Sequence, residues 1–197
     1  MFFGNDRSLL RSFRFWRLVA CGVALALFMR IFLFGIYQVA SESMSPTLRT
    51  SDRVLVLKWA KLSGVERGDI VVFDGAGSFA PTESASTFAD TLSELIGIKS
   101  LDSHLFVKRV IGLGGDEVKC CDSEGFVTVN GERLRESYLA PGMSPSEVSF
   151  DVVVPKGRMF VMGDNRSHSQ DSRSLLGSPG GGMVDVDKVV GRVAWAM

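Results

Sequence analysis

The chain has 197 residues, 46% of them hydrophobic, enough to bury one sizeable core and carry an appendage but too few for two large domains. Lys and Arg number 22 and Asp and Glu number 22, so no net charge draws the protein to nucleic acid. The two His (His104, His168) and three Cys (Cys21, Cys120, Cys121) stand at none of the spacings of a zinc site, and no metal or other cofactor is expected.

Arg7, Arg11, Arg14 and Arg17 lead into "LVACGVALALFMRIFLFGIYQVA", residues 18–40, which only Arg30 interrupts. As a helix rising about 1.5 Å per residue, this stretch would be about 34 Å long and would cross a bilayer. In a helix over about residues 15–34, Arg30 lies about one turn from the far end and reaches the headgroups along its own aliphatic stem. A cleavable secretory signal is the competing interpretation. Against it, a cut after Ala40 would place Gln38, neither small nor apolar, at the third position before the cut, and Arg30 breaks a stretch that a signal keeps apolar. The span therefore reads as an anchor. Arg49, Arg53, Lys58 and Lys61 balance the basic residues on the other side. Short N-terminal flanks usually dominate, and long domains translocate regardless of charge. The expected topology is a single pass through the plasma membrane, with residues 1–17 in the cytoplasm, 18–40 in the bilayer and 41–197 outside.

After the anchor come "RVLVL", "GDIVVF", "LFVKRVIGL", "FVTVNGERL", "SFDVVVP", "RMFVMGDN" and "KVVGRVAWA", short Val-, Phe- and Ile-rich runs separated by turn residues. This pattern predicts a mainly β, antiparallel domain. Asn130-Gly131 is a hairpin signal, because both central residues of a type I′ turn need positive φ. Residues 74–104, rich in Ser, Thr, Ala and Gly, read as a variable surface insertion with one short helix near 91–98. "SPGGG", residues 178–182, reads as a second loop. Cys120 and Cys121 read more readily as two small, half-buried strand residues, a vicinal disulfide being the alternative in an oxidising compartment, and the sequence leaves their redox state open.

The polar stretch directly after the anchor is "SESMSPTL", residues 41–48. A serine hydroxyl attacks a carbonyl only if a base takes its proton and donors await the oxyanion. Ser43 with His104 or His168 and Asp164 or Asp171 would make one such set, but no spacing selects it. A neutral lysine is the other candidate base. Lowering its pKa by three units from about 10.4 disfavours the charge by about 4 kcal/mol, which apolar burial can supply. Strand alternation puts Phe106, Lys108 and Val110 on one face and turns Arg109 away. Lys58, between Val56 and Ala60, has a similar setting, so the residues leave two lysines open. "GDNRSHSQDSR", residues 163–173, is a dense polar stretch behind an apolar strand, and Asn165-Arg166-Ser167 in it is formally a glycosylation sequon. "GLGGD", residues 112–116, lacks the Gly-Lys-Ser/Thr of a phosphate loop and reads as a turn.

In order along the chain, "SESMSPTL", "RGDIVVF", "VKRVIGLGGDEV", "VNGERLRESYL", "VPKGRMFVMGDNRSHSQDSR" and "VVGRV" resemble the boxes of the type I signal peptidases. These are membrane-anchored serine proteases that remove signal peptides from secreted preproteins. The resemblance covers most of residues 39–193 outside the two insertions. It implies a β-sheet domain of the signal peptidase and repressor-peptidase type, no cofactor, and secretory preproteins and the lipid bilayer as partners. It implies Ser43 as nucleophile and Lys108, rather than Lys58, as general base. Ser41 would form the oxyanion hole with the backbone N–H of Ser43, Ser169 would orient the lysine, and Asp164, Asp171 and Arg173 would support the site. It further implies small substrate side chains one and three residues before the cut. Gly114, where the family usually has Pro, "SLLG" after Arg173, and Asp185, where Pro is common, depart from the pattern at no catalytic position. Met44 and Trp59 are expected to dip into the lipid interface.

Overall fold

Val, Ile and Phe recur through the body of the chain in short runs, and β-branched and aromatic side chains fit a pleated, half-buried surface. The computed structural model describes residues 6–59, 64–79, 99–100, 104–178 and 180–197, with side chains from residue 15 onward except those of 30, 31, 99 and 100. One helix, α1 (Asp6–Leu33), runs without a linker into β1 (Phe34–Gln38). There follow β2 (Arg53–Leu57), β3 (Ile70–Asp74), β4 (Lys99–Ser100), β5 (Leu105–Leu113), β6 (Glu117–Cys120), β7 (Thr128–Val129), β8 (Glu132–Arg133), β9 (Phe150–Val153), β10 (Arg158–Met162), β11 (Val184–Asp185) and β12 (Val189–Ala196).

Eight of these strands form one sheet in the order β11-β10-β5-β3-β12-β2-β1-β4, and four form a second in the order β8-β7-β6-β9. Pairing is antiparallel throughout except where β4 runs parallel to β1. Val118, Val127, Phe150, Phe160 and Met162 fill the core of the small sheet where it meets β10. Tyr37, Met44, Leu48, Val54, Val56 and Val107 form a second cluster, and Val71, Phe73, Val110, Met159, Val161 and Val189 a third. Each fully buried side chain of this size contributes about 1.5–3 kcal/mol, so the large sheet is held from both faces. Asn130 and Gly131, at φ 54° and 79°, make the tight turn between β7 and β8.

The structure differs from the sequence-based expectation at several places. The apolar tail of the expected span is strand: residues 34–38 pair with β2 from Phe34↔Leu57 to Gln38↔Arg53, and Tyr37 is buried. The reason is that β2 offers an open edge to the chain leaving α1. Among the described residues, no helix is long and apolar enough to cross a membrane. Met44, expected at the lipid interface, is only 1% exposed and belongs to the second core cluster, whereas Trp59 is exposed. Cys120 and Cys121, whose redox state the sequence leaves open, are joined as a vicinal disulfide. The helix expected near residues 91–98 lies outside the described residues.

Candidate active site

The connection between β1 and β2 carries Ser41, Ser43, Met44 and Thr47. Its base is closed by Val39 N–H donating to Asp52 O (2.8 Å) and Ser51 N–H to Val39 O (2.9 Å). Its tip is wound by Ser45 N–H to Glu42 O (3.0 Å) and Leu48 N–H to Met44 O (2.9 Å). Met44 and Leu48 are the apolar pegs of this turn, and both sink into the core beneath it. Burying the residue that follows Ser43 fixes where the serine itself can point.

It points at Lys108. Lys108 stands in the middle of β5, opposite Val71 of β3, and is 3% exposed. Its Nζ donates to Ser43 Oγ at 2.5 Å, and Ser43 Oγ also shares a hydrogen bond with Ser41 Oγ at 3.2 Å. Burial away from water brings the Lys108 pKa down from 10.5 to about 8; Asp171 and Asp164 pull it back up, and Arg173 pushes it further down. Desolvation disfavours the charged amine, and it prevails here over two nearby carboxylates.

A third segment closes the arrangement. The last β10 pair is Met162↔Arg109, so the chain beyond Met162 passes Lys108. At Gly163 there is no room for a side chain, because a Cβ would collide with Ser169 Oγ and the Ser43 carbonyl oxygen. Asn165 N–H donates to Ser43 O (3.0 Å) and the Asn165 side-chain amide to Glu42 O (3.1 Å). The sequon asparagine is thus occupied in holding the serine turn.

Two buried carboxylates brace this segment. Asp164 accepts from Thr47 Oγ1 (2.5 Å) and, through both oxygens, from Arg109 Nε (2.8 Å) and Nη2 (2.6 Å). Asp171 accepts from Gly163 N–H (2.9 Å), Arg173 N–H (3.2 Å), and Arg173 Nε (2.9 Å) and Nη2 (2.7 Å). Arg173 Nη2 also donates to Arg166 O at 2.8 Å. Such two-pronged pairs fix orientation as well as charge. Both Asp164 and Asp171 are inaccessible to solvent.

Of the residues singled out in the sequence, Ser41, Ser43 and Lys108 are joined by hydrogen bonds. Asp164 is tied to the serine turn through Thr47, and Asp171, paired with Arg173, holds the N–H of Gly163 where that residue abuts the Ser43 carbonyl. Ser169 lies against Gly163, but its hydroxyl oxygen is buried without a hydrogen-bond partner, so the expected bond to Lys108 is not formed. Neither histidine bonds Ser43 among the described residues: His168 is exposed with Nδ1 at 3.0 Å from Ser167 Oγ, and His104 Nδ1 is buried without a partner. Lys58 is half-buried just beyond the end of β2, where its N–H donates to Leu33 O at 3.0 Å. Thr47, Arg109 and Asn165 were not foreseen. Thr47 and Asn165 sit inside the polar boxes already marked, and Arg109 was set aside because it turns away from Lys108; it turns toward Asp164.

With this geometry in view, comparison with known proteins is decisive. The family model described as signal peptidase, peptidase S26, matches residues 12–197. The chain belongs to this family. It is similar to the probable signal peptidase I of Mycobacterium leprae (strain TN), with 35% identity over 229 residues, 97% of this chain and 78% of the relative. It is similar to the signal peptidase I of Mycobacterium tuberculosis (strain ATCC 25618 / H37Rv), with 35% identity over 213 residues, 94% of this chain and 71% of the relative. The signal peptidase I of Bacillus licheniformis is 35% identical over 188 residues, 91% of this chain and 84% of the relative. Among solved structures, a signal peptidase I from Enterococcus faecalis V583 is 24% identical, with a TM-score of 0.44, over 66% of this chain and 97% of that one. As a signal peptidase family member, the chain is a serine peptidase, which directs attention to the serine that the lysine touches.

Proposed function

We propose that this signal peptidase family member is a membrane-anchored endopeptidase that cleaves N-terminal signal peptides from secreted preproteins, with Ser43 as nucleophile and Lys108 as general base. The observation that carries this reading is the 2.5 Å contact between Lys108 Nζ and Ser43 Oγ, made in a buried setting that lowers the pKa of the amine to about 8. A base must lie within hydrogen-bond reach of the proton it takes and have a pKa near the working pH, and Lys108 meets both requirements.

In this mechanism neutral Lys108 removes the Ser43 hydroxyl proton as the oxygen attacks the carbonyl of a small substrate residue. The Ser43 backbone N–H and the Ser41 hydroxyl receive the oxyanion. On attack, Ser41 exchanges its 3.2 Å contact with Ser43 Oγ for one with the new negative charge. Lys108 then gives its proton to the leaving amine, and the same lysine activates the water that releases the acyl-enzyme. Ser169, whose hydroxyl is buried and unpartnered against Gly163, is proposed to orient the amine by turning that hydroxyl toward it during the reaction, and Asp164, Asp171 and Arg173 to hold the surrounding turns.

The anchor belongs to the same proposal. Along α1 the apolar side chains of Leu18, Val23, Leu25, Leu27, Phe28 and Phe32 are all more than half exposed. So much apolar surface in one patch calls for a cover, and the bilayer supplies one, with residues 1–17 inside the cell and the sheets outside. The nucleophile turn begins a few residues beyond the end of α1, so it works at the level where a membrane-inserted signal peptide emerges. The test is a preprotein cleavage assay with the full chain in lipid vesicles. Wild type should release the mature protein, and Ser43→Ala and Lys108→Ala should release none. Cleavage by either variant at the wild-type rate would overturn the assignment.

A further inference from the structure

The loop between β8 and β9, residues 134–149, belongs to neither of the segments that carry the proposed catalytic groups, yet it touches all three arginines around the site. The Arg109 guanidinium lies over the Tyr138 ring with Cζ 3.9 Å from its centroid, and Arg166 approaches the same ring at 5.8 Å. Tyr138 OH donates to Glu136 Oε1 (3.2 Å) and accepts from Arg166 Nη2 (3.3 Å). Glu136 forms a buried ion pair with Arg166, the two side chains being 5% and 1% exposed. Arg166 Nη1 further donates to Pro145 O, Arg166 N–H to Met143 Sδ (3.3 Å), and Arg173 Nη1 to Ser146 Oγ (3.3 Å).

We propose that Tyr138 and Glu136 are positioning residues for the reaction: from the loop between β8 and β9 they hold Arg109 and Arg166, and through these arginines they set the nucleophile turn against Lys108. Two paths lead inward from them. Arg109 grips Asp164, and Asp164 takes the hydroxyl of Thr47, four residues past the nucleophile. Arg166 Nε donates to Gly163 O (3.1 Å), at the point where the chain presses on Ser43 O. An aromatic face attracts a guanidinium by its quadrupole and fixes the plane in which the fork lies. That plane decides whether Arg109 can meet both Asp164 oxygens at once. Arg166 has its Nε, Nη1 and Nη2 all bound to protein groups, so its position is set at several points.

This inference rests on the Ser43 and Lys108 assignment, and its test keeps the two apart. Tyr138→Leu retains bulk without an aromatic face, Tyr138→Phe restores the face without the hydroxyl, and Glu136→Gln retains shape without charge. In full-length enzyme in vesicles, Tyr138→Leu should lower kcat by about tenfold with KM within about twofold, and Tyr138→Phe should restore most of it. Glu136→Gln should lower kcat in the same manner but by less. The charges acting on Lys108 are Asp164, Asp171 and Arg173, and loosening Arg109 leaves Asp164 less compensated. The acid limb of kcat in Tyr138→Leu should therefore move to higher pH, which a role in packing alone would not produce. Unchanged kcat in Tyr138→Leu, a rise confined to KM, or no rescue by Tyr138→Phe would overturn the inference. If Tyr138→Leu does not fold, Glu136→Gln alone decides by the same kcat criterion. Ser43→Ala in the same assay isolates the underlying assignment: if it still cleaves, that assignment fails, and if it is dead while Tyr138→Leu is fully active, only the positioning role fails.

Discussion

Lys108 Nζ meets Ser43 Oγ at 2.5 Å although 65 positions separate the two residues along the chain. The general-base role proposed for Lys108 depends on an amine that can give up its proton. Lys108→Arg should therefore abolish cleavage despite keeping a cation, because a guanidinium does not deprotonate in proteins. The check is single-turnover cleavage of a preprotein by folded variant; turnover near wild type would exclude a lysine base.

The pH profile should follow the same group. With Lys108 at about 8, the neutral base predominates above that pH, and below it the rate should fall about tenfold per unit. A histidine base would hold its activity down to about pH 6.5. Measuring kcat between pH 6 and about pH 10 separates the two.

The depressed pKa also has a stability consequence. Folded Lys108 titrates at about 8 and the unfolded side chain near 10.5, so between those values the unfolded state binds more protons and stability rises with pH. Below about pH 8 both states are protonated, and the folded one bears the full penalty of about 3 kcal/mol. Lys108→Met should accordingly be inactive yet more stable at pH 7, by up to about 3 kcal/mol. Denaturant titrations of both proteins at several pH values measure the difference, which should shrink as pH rises toward 10.5.

Gly163→Ala should lower cleavage by about a hundredfold or more, because the added methyl pushes against Ser169 and the Ser43 carbonyl, and a displacement of about 1 Å at a reacting group has that order of effect. Melting temperature measured beside activity shows whether the fold survives. An active Gly163→Ala enzyme would mean that the serine turn is looser than the packing indicates.

Asp171→Ala leaves Arg173 buried and without its principal partner. Removing one member of a buried pair costs about 3–5 kcal/mol, so unfolding should shift to markedly lower denaturant concentration. A loss below about 1 kcal/mol would place the pair with ordinary surface ion pairs.

Much of the strand set was legible because it depends on local pattern. "RVLVL" and "LFVKRVIGL" coincide with β2 and β5, and the Asn130-Gly131 turn lies where its φ requirement places it. β1 was hidden because an apolar run leading out of a helix looks like more helix; only its pairing with β2 distinguishes it. Alternation along β5 turned Lys108 and Arg109 to opposite faces but could not choose between Lys108 and Lys58, since the choice depends on which lysine the serine turn reaches. The clamp from Thr47 to Asp164 spans 117 positions and the Glu136 and Arg166 pair spans 30. Charged residues that meet only through tertiary structure leave no periodic trace, so these partners were out of reach. Met44 was misplaced for a related reason: an apolar residue beside a membrane span fits lipid and core equally until the turn is seen to use it as a peg.

β12, the last strand in chain order, lies between β3 and β2. It therefore joins one block, β11-β10-β5-β3, which carries Lys108, to another, β2-β1-β4, from which the Ser43 turn hangs. The reach from the serine turn to the amine thus depends on a strand that carries neither, and a slip in the register of β12 against β2 or β3 would slide one block past the other.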